Sequence, residues 1–500
     1  MLFSSQSNLK ILKSELSGQR ANTWLLGLVI AGIVISLFPF FLFTFFTVPY
    51  SDDFAFANQS QAGFFHFSHN LYMYASGRYT VIITAYWFNP LRLGLAYGSI
   101  GVKFISFAFL VCFLWTLYYL VCVVFSNISK VYALLLAFIT QIFFLNSLVG
   151  LDEWVYWFVG LNAYFLPMLI LLLCYLYLIK YLQQGYLSKV EWVLLHFLNF
   201  SVMGTHEIIA VFHLSVLCFI ALHIHLNRNQ WQISVFSLLI GASLGMFILI
   251  VAPGNYARWF NLDQIFAEDV GRYSNQSLLK VSILGAYFAI SSMGNWLSNA
   301  SFWILTLLFL PLMQDLVVRL HLKNSKFISP VLHAGLILLL FISFHIFALR
   351  TNHYGIGRVE ALFQFLFYWS LWANIQLWLC FYAEKLEKYK LDSLEVHPHK
   401  NLFLGIMSLF LVISIMPSSQ NINQAYYEVA FVVPGYQDFI KKRLDLLQSS
   451  RGKEGVTLRQ IPAHLRSQFL LVEDYSKGSN SYIRCTEEYF DIKKIKISPY

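Results

Sequence analysis

Two adjacent carboxylates, Asp52 and Asp53, stand in the stretch VPYSDDFAFAN, directly after a long apolar run from Trp24 to Phe46. A carboxylate near lipid is costly unless it is paired or faces water. One that faces a substrate takes a proton from a hydroxyl as general base. Five further polar clusters interrupt apolar sequence: SGRYT with Arg78, LDEWVYW with Asp152, Glu153, Trp154 and Trp157, GTHE with His206 and Glu207, APGNYAR with Asn255 and Arg258, and RTNHYGIGRVE with Arg350, His353 and Arg358. The cations here are arginines, whose guanidinium fork offers a phosphate two parallel charge-assisted hydrogen bonds. An acid beside an arginine-lined anion site suits group transfer: the carboxylate activates an acceptor hydroxyl and the guanidiniums stabilise a departing phosphate.

Every cluster also has a structural reading. Asp52 and Asp53 suit a helix N-cap, and Arg78 and Arg258 suit interfacial anchors with snorkelling stems. Asp152 and Glu153 beside Trp154 and Trp157 suit an aromatic belt with solvated charges. His206 and Glu207 make a satisfied pair at a turn, PGN (253–255) is a turn signal by itself, and Arg350, His353 and Arg358 suit a solvated loop. The joint placement of the clusters carries the argument, and that depends on the elements that hold them.

Of 500 residues, 58% are hydrophobic and 12% charged, the latter about half the roughly 25% of soluble domains. Several apolar runs are long enough to cross a hydrocarbon core about 30 Å thick. These features predict an all-α polytopic membrane protein and exclude a β-barrel, which alternates apolar and polar positions. About eleven spans are expected, near 24–46, 99–125, 131–149, 164–183, 190–204, 207–226, 231–252, 298–318, 329–349, 359–382 and 401–418. GTHE splits the run from Val190 to His225 into a hairpin, the alternative being one kinked helix. The semi-polar segments 60–92 and 272–296 read as helices lying in the interface.

Lys10, Lys13 and Arg20 precede the first span and assign the N-terminus to the cytoplasm. The turns holding Lys130, Lys180, Lys189, Arg228, Arg319, Lys323, Lys326, Lys385, Lys388, Lys390 and Lys400 then fall inside. The net charge of +9 is accounted for by these anchors, with no nucleic-acid partner implied. All six polar clusters fall on the opposite, extracytoplasmic face. So does a polar C-terminal region, 419–500, beyond a transmembrane domain of 1–418. No metal-ligand spacing such as C-x-x-C occurs, and no disulfide is expected among the six cysteines.

An acidic pair opening the first extracytoplasmic loop resembles the hallmark of GT-C glycosyltransferases, polytopic enzymes that take sugars from polyprenyl-phosphate carriers. SGRYT, DEWVYW followed by LNAYFLP, GTHE, APGNYAR and the ending SNSYIRCTEEYFDIKKIKI are similar to those of an uncharacterised bacterial membrane-protein family near that group. The resemblance runs through most of the chain, although the ending departs from the family's elements and leaves the role of the C-terminal region open. It implies a multi-pass protein of the bacterial inner membrane, a polyprenyl-phosphate-linked sugar donor and a glycan, lipid or protein acceptor. Asp52 or Asp53 is then the general base of an inverting transfer. Arg258 and Arg358, with Arg78 and Arg350 behind them, bind the donor phosphate; Glu153, Trp154, Trp157, His206, Glu207, Asn255 and His353 contact substrate. Some such enzymes use Mg²⁺ or Mn²⁺ held by oxygen ligands; no spacing here demands one, so no obligatory metal is expected. An O-antigen polymerase or ligase, and a transporter or flippase of lipid-linked saccharide, are the alternatives. A transporter favours polar residues near the midplane in broken helices.

Overall fold

The computed structural model describes residues 4–126, 128–228, 233–257, 276–319, 329–351, 357–382, 400–415, 420–470 and 480–498. Nearly all of the ordered structure is helical. In chain order the helices are α1 (Ser4–Phe43), α2 (Asp52–Ser60), α3 (Phe64–Tyr74), α4 (Tyr79–Phe88), α5 (Leu95–Val124), α6 (Lys130–Ser147) and the short α7 (Leu151–Val155). They continue with α8 (Phe158–Gln184), α9 (Lys189–Met203), α10 (Glu207–Arg228), α11 (Ile233–Val251), α12 (Leu278–Leu297), α13 (Ala300–Arg319), α14 (Pro330–Arg350), α15 (Gly357–Phe381) and α16 (Lys400–Ile415). Beyond these lie α17 (Gln420–Phe431), α18 (Val433–Ser449) and α19 (Asn480–Phe490), with a parallel two-stranded sheet of β1 (Val456–Arg459) and β2 (Ile495–Ser498).

Seven described helical stretches are long and apolar enough to cross a membrane: Thr23–Phe46, α5, α6, α8, Glu207–His225, α11 and α14. They coincide with seven of the expected spans. The others differ for physical reasons. Helix α9 has 15 residues, about 22 Å at 1.5 Å per residue, short of a 30 Å core. The apolar part of α16, Phe403–Ser414, is shorter still. Helix α15 is long, but it carries Arg358, Glu360, Gln364, Ser370, Asn374 and Gln376. It tolerates them because most of its face is buried against other helices. Residues 278–297, expected to lie along the interface, form α12, which packs along α14 with Gly285 against Ile346. A 67° bend separates α12 from α13, so the two together make an eighth candidate span, broken near its middle.

GTHE does break its apolar run. Helix α9 starts with a capping box between Ser188 and Glu191 and stops at Gly204, and α10 begins at Glu207. The helices alternate in direction. Consequently Lys130, Lys189, Arg228, Arg319 and Lys400, which begin or end α6, α9, α10, α13 and α16, gather at one end of the bundle. Lys180 and Glu191 pair there.

At the other end, the first loop folds into α2–α4, with Phe65, Trp87 and Phe88 pointing outward. The C-terminal region packs on this loop. Phe54 of α2 meets the rings of Tyr489 and Phe490 and shares a core with Leu91, Leu447, Leu458, Ile492 and Ile495. Phe469 is wedged among Phe40, Phe43 and Tyr156.

Candidate functional site

The YSDDF turn is built on strain and on a carboxylate clamp. Ser51 adopts a positive φ of 23°, rare for a residue with a Cβ. Asp53 has no exposed surface. Its Oδ2 accepts from the Tyr50 amide at 2.9 Å and its Oδ1 from the Val159 amide at 3.0 Å. Asn89 donates to the Asp53 carbonyl. Asp53 therefore ties the first loop to the start of α8. Asp52, one position earlier, is half-buried and lies within electrostatic reach of Arg358. Burial pushes its carboxyl above the usual range, against the opposing pull of Arg358 and the Ser51 hydroxyl.

Arg358 is the hub. Its Nη1 donates to Glu153 Oε1 at 2.9 Å and its backbone amide to Glu153 Oε2 at 3.1 Å. Its Nε donates to the Tyr164 hydroxyl at 3.2 Å. The guanidinium carbon sits 5.4 Å from the Trp157 ring centre and 5.8 Å from that of Tyr164. This contact forms because Gly150 and Gly357 let two backbones touch. A Cβ on Gly150, which has φ +64°, would lie 2.7 Å from the Gly357 carbonyl carbon.

Tyr164 carries the network onward, because Arg78 lies within electrostatic reach of its hydroxyl. Arg78 donates through Nε and Nη2 to both oxygens of Glu207, the shortest bond being 2.7 Å. Burial alone would lower the Arg78 pKa; Glu207 and Tyr164 outweigh it and hold the guanidinium charged. His206 Nδ1 lies 3.5 Å from Glu207 Oε2, with its ring 5.3 Å from that of Tyr164. SGRYT and GTHE are also joined through the main chain: Thr80 bonds to the Gly204 and Ser201 carbonyls, and Tyr79 to the Phe200 carbonyl. Asn255 braces the same loop, accepting from the Gly77 amide and donating to the Leu249 carbonyl.

Residues from all six clusters thus converge at one end of the bundle, within one connected set of contacts. Several of them are buried within that set. Trp154, 1% exposed, cannot stack on a sugar; its indole N–H holds the Arg358 carbonyl at 2.8 Å. Trp157, His206 and Asn255 are also buried and brace the site. Arg78 is a strut to Glu207, and a buried pair of this kind costs about 3–5 kcal/mol when one partner is removed. Arg350 ends α14, where a cation complements the C-terminal helix dipole. Arg258 and His353 lie outside the described residues. Tyr164 was not singled out from the sequence. Its one available signal is the apolar LNAYF, which here forms a π-helical turn, Leu161–Phe165, a feature frequent at functional sites.

Behind the Glu153 turn, Asp152 is pushed up to about 6 by burial, with Glu153 and then Glu428 adding repulsion against backbone hydrogen bonds that lower it. Among the described residues, no three His, Cys, Asp or Glu side chains are grouped so as to hold a metal ion. In comparisons with known proteins, no family model matches the chain and no curated protein matches it significantly.

Proposed function

We propose that this protein is a membrane glycosyltransferase that moves a sugar from a polyprenyl-phosphate carrier to an acceptor hydroxyl at the extracytoplasmic face. The observation that carries this reading is the disposition of Asp52. It is a half-buried carboxylate within electrostatic reach of Arg358, whose guanidinium is held by Glu153 and Tyr164 at the end of a bundle of apolar helices.

In the reaction, ionised Asp52 takes the proton of the acceptor hydroxyl. The freed oxygen bonds to the anomeric carbon with inversion. The bond from that carbon to the phosphate oxygen breaks, and its electron pair leaves on the carrier phosphate. Arg358 offsets the charge gathering there. A carboxyl pushed above its ordinary range by burial is a stronger base toward the acceptor hydroxyl. Lysine and arginine at the opposite end favour a cytoplasmic N-terminus, with the site and C-terminal region outside. The assignment to the bacterial inner membrane follows the GT-C resemblance.

Asp52→Asn, inserted and folded as the parent, is expected to lose about 10²-fold or more of transfer rate, measured with purified protein and a polyprenyl-phosphate sugar. Full activity in that variant would remove the base and the reading with it. Asp53→Asn is expected to fail differently, by about 1–3 kcal/mol of stability, because one buried amide loses its acceptor. The 67° break between α12 and α13 favours a second reading, a transporter of lipid-linked saccharide. Saccharide flux across vesicles without any new glycosidic bond would select it.

A further inference from the structure

A cavity of about 400 Å³ opens between the turn Val149–Leu151 and the C-terminal region, lined on the latter side by Asn421, Gln424, Gln468 and Phe469. Its volume falls in the range of small-molecule sites. We infer that this cavity binds a neutral saccharide, the acceptor in the reaction proposed above, on which the acceptor role rests.

The lining side chains are three amides, the aliphatic Val149 and Leu151 and one aromatic ring, with no charged group among them. The Asn421 NH₂ donates to the Leu145 and Leu148 carbonyls, and the Gln424 NH₂ to Glu428. These bonds fix both amides and leave their carbonyl oxygens to accept from a ligand's hydroxyls. The wall is rigid on its second side as well. Glu428, 1% exposed, accepts from the Gln468 amide and the Ser467 hydroxyl, and this holds Phe469 at the rim. Glu428 and Asp152 behind the wall disfavour an anionic ligand. A ligand rich in hydroxyls and without net charge matches these amides.

The position fits an acceptor site. Gly150 lines the cavity, and its Cα abuts Gly357, the residue before Arg358. One thickness of backbone therefore separates the cavity from the hub of the charged network.

The test uses the full chain in nanodiscs and saturation-transfer NMR. The probes are neutral disaccharides (maltose, cellobiose and lactose), with a uronic-acid disaccharide and a glucosamine disaccharide for comparison. The expected result is signal from at least one neutral probe and none from the charged ones. Gln468→Trp, which fills the cavity from an exposed position, should cut that signal at least fivefold without lowering thermal stability; Gln468→Ala should cut it less. No signal from any neutral probe, a signal only from charged probes, or one unchanged in Gln468→Trp would overturn the inference. Asp52→Asn should leave binding intact. If neutral probes bind but Asp52→Asn transfers sugar at the parent's rate, the cavity stands and the transferase reading falls.

Discussion

One step along a helix rotates a side chain by about 100°, and between Asp52 and Asp53 that rotation separates two tasks. Asp53 enters the protein and satisfies the amides of Tyr50 and Val159; Asp52 is half-buried and feels the charge of Arg358. The acidic pair was legible as a place where chemistry could happen, because carboxylates beside lipid need a reason. Which member is buried was not legible, since it depends on the direction in which α2 leaves the Ser51 turn. Tyr164 was obscured by composition: in a chain with 29 tyrosines, the one in LNAYF does not stand out until its hydroxyl is seen accepting from Arg358. Asp152 yields a prediction of its own. Its folded-state value of about 6 lies above the ordinary 3.8, so the folded protein holds this proton more tightly than the unfolded chain. The resulting stability is fully present below about pH 4 and is lost as pH rises through 6. Asp152→Asn keeps a side chain able to cap the turn and removes the repulsion. After allowance for partial exposure, it should be more stable than the parent by about 1–2 kcal/mol at pH 7.5, and the difference should shrink toward pH 4. Thermal melts at both pH values check this; a constant difference would mean that Asp152 does not titrate as described.

At the scale of elements, seven spans were readable because an unbroken apolar stretch has few other uses. Apolar length alone does not settle the remainder, as α15, which coincides with the expected span 359–382, illustrates. It is wrapped by other helices and therefore keeps Gln364 and Asn374, whose amides bond to the Ser147 and Pro330 carbonyls. Hydropathy alone does not say whether so shielded a polar helix crosses the membrane. The pairing of Arg78 with Glu207 spans 129 residues and follows only from α4 docking on the α9–α10 turn. Likewise, the contact between Glu153 and Arg358 requires the backbones of Gly150 and Gly357 to touch. Gly150→Ala combines a strained left-handed conformation with a Cβ too close to Gly357. It is expected to cost about 1–3 kcal/mol and to push Arg358 away from Tyr164. Calorimetry paired with donor KM should record a lowered Tm together with a raised KM. A melting point equal to the parent's would show that the two strands have room to part.

For the whole molecule, convergence of the six clusters at one end of the bundle follows from alternating helix direction. The expectation of a single shared face rested on that same alternation and on charge at the other end. The C-terminal region was legible as polar chain but not as a partner of the first loop, because aromatic residues such as Phe54 and Tyr489 carry no address. Two experiments belong at this scale. A membrane-impermeant maleimide should label Lys493→Cys, whose parent side chain is exposed and pairs only at the surface with Glu454, in intact cells. Labelling only after the membrane is opened would invert the orientation. Phe490→Ala should cost about 3–5 kcal/mol, as expected for a buried phenylalanine, and should lower transfer by loosening α2. Unchanged activity at full occupancy of the folded state would uncouple the C-terminal cover from Asp52.

Tyr489 reaches back across 398 residues to the Leu91 carbonyl, and its neighbour Phe490 closes over the helix that begins with Asp52. During translation the ribosome delivers that helix to the membrane long before its lid exists. Chains released early carry the acidic turn but lack the residues that seat it. Cover of α2 therefore waits until residue 490 has been made, and a chain stopped short of it leaves Phe54 without the rings of Tyr489 and Phe490.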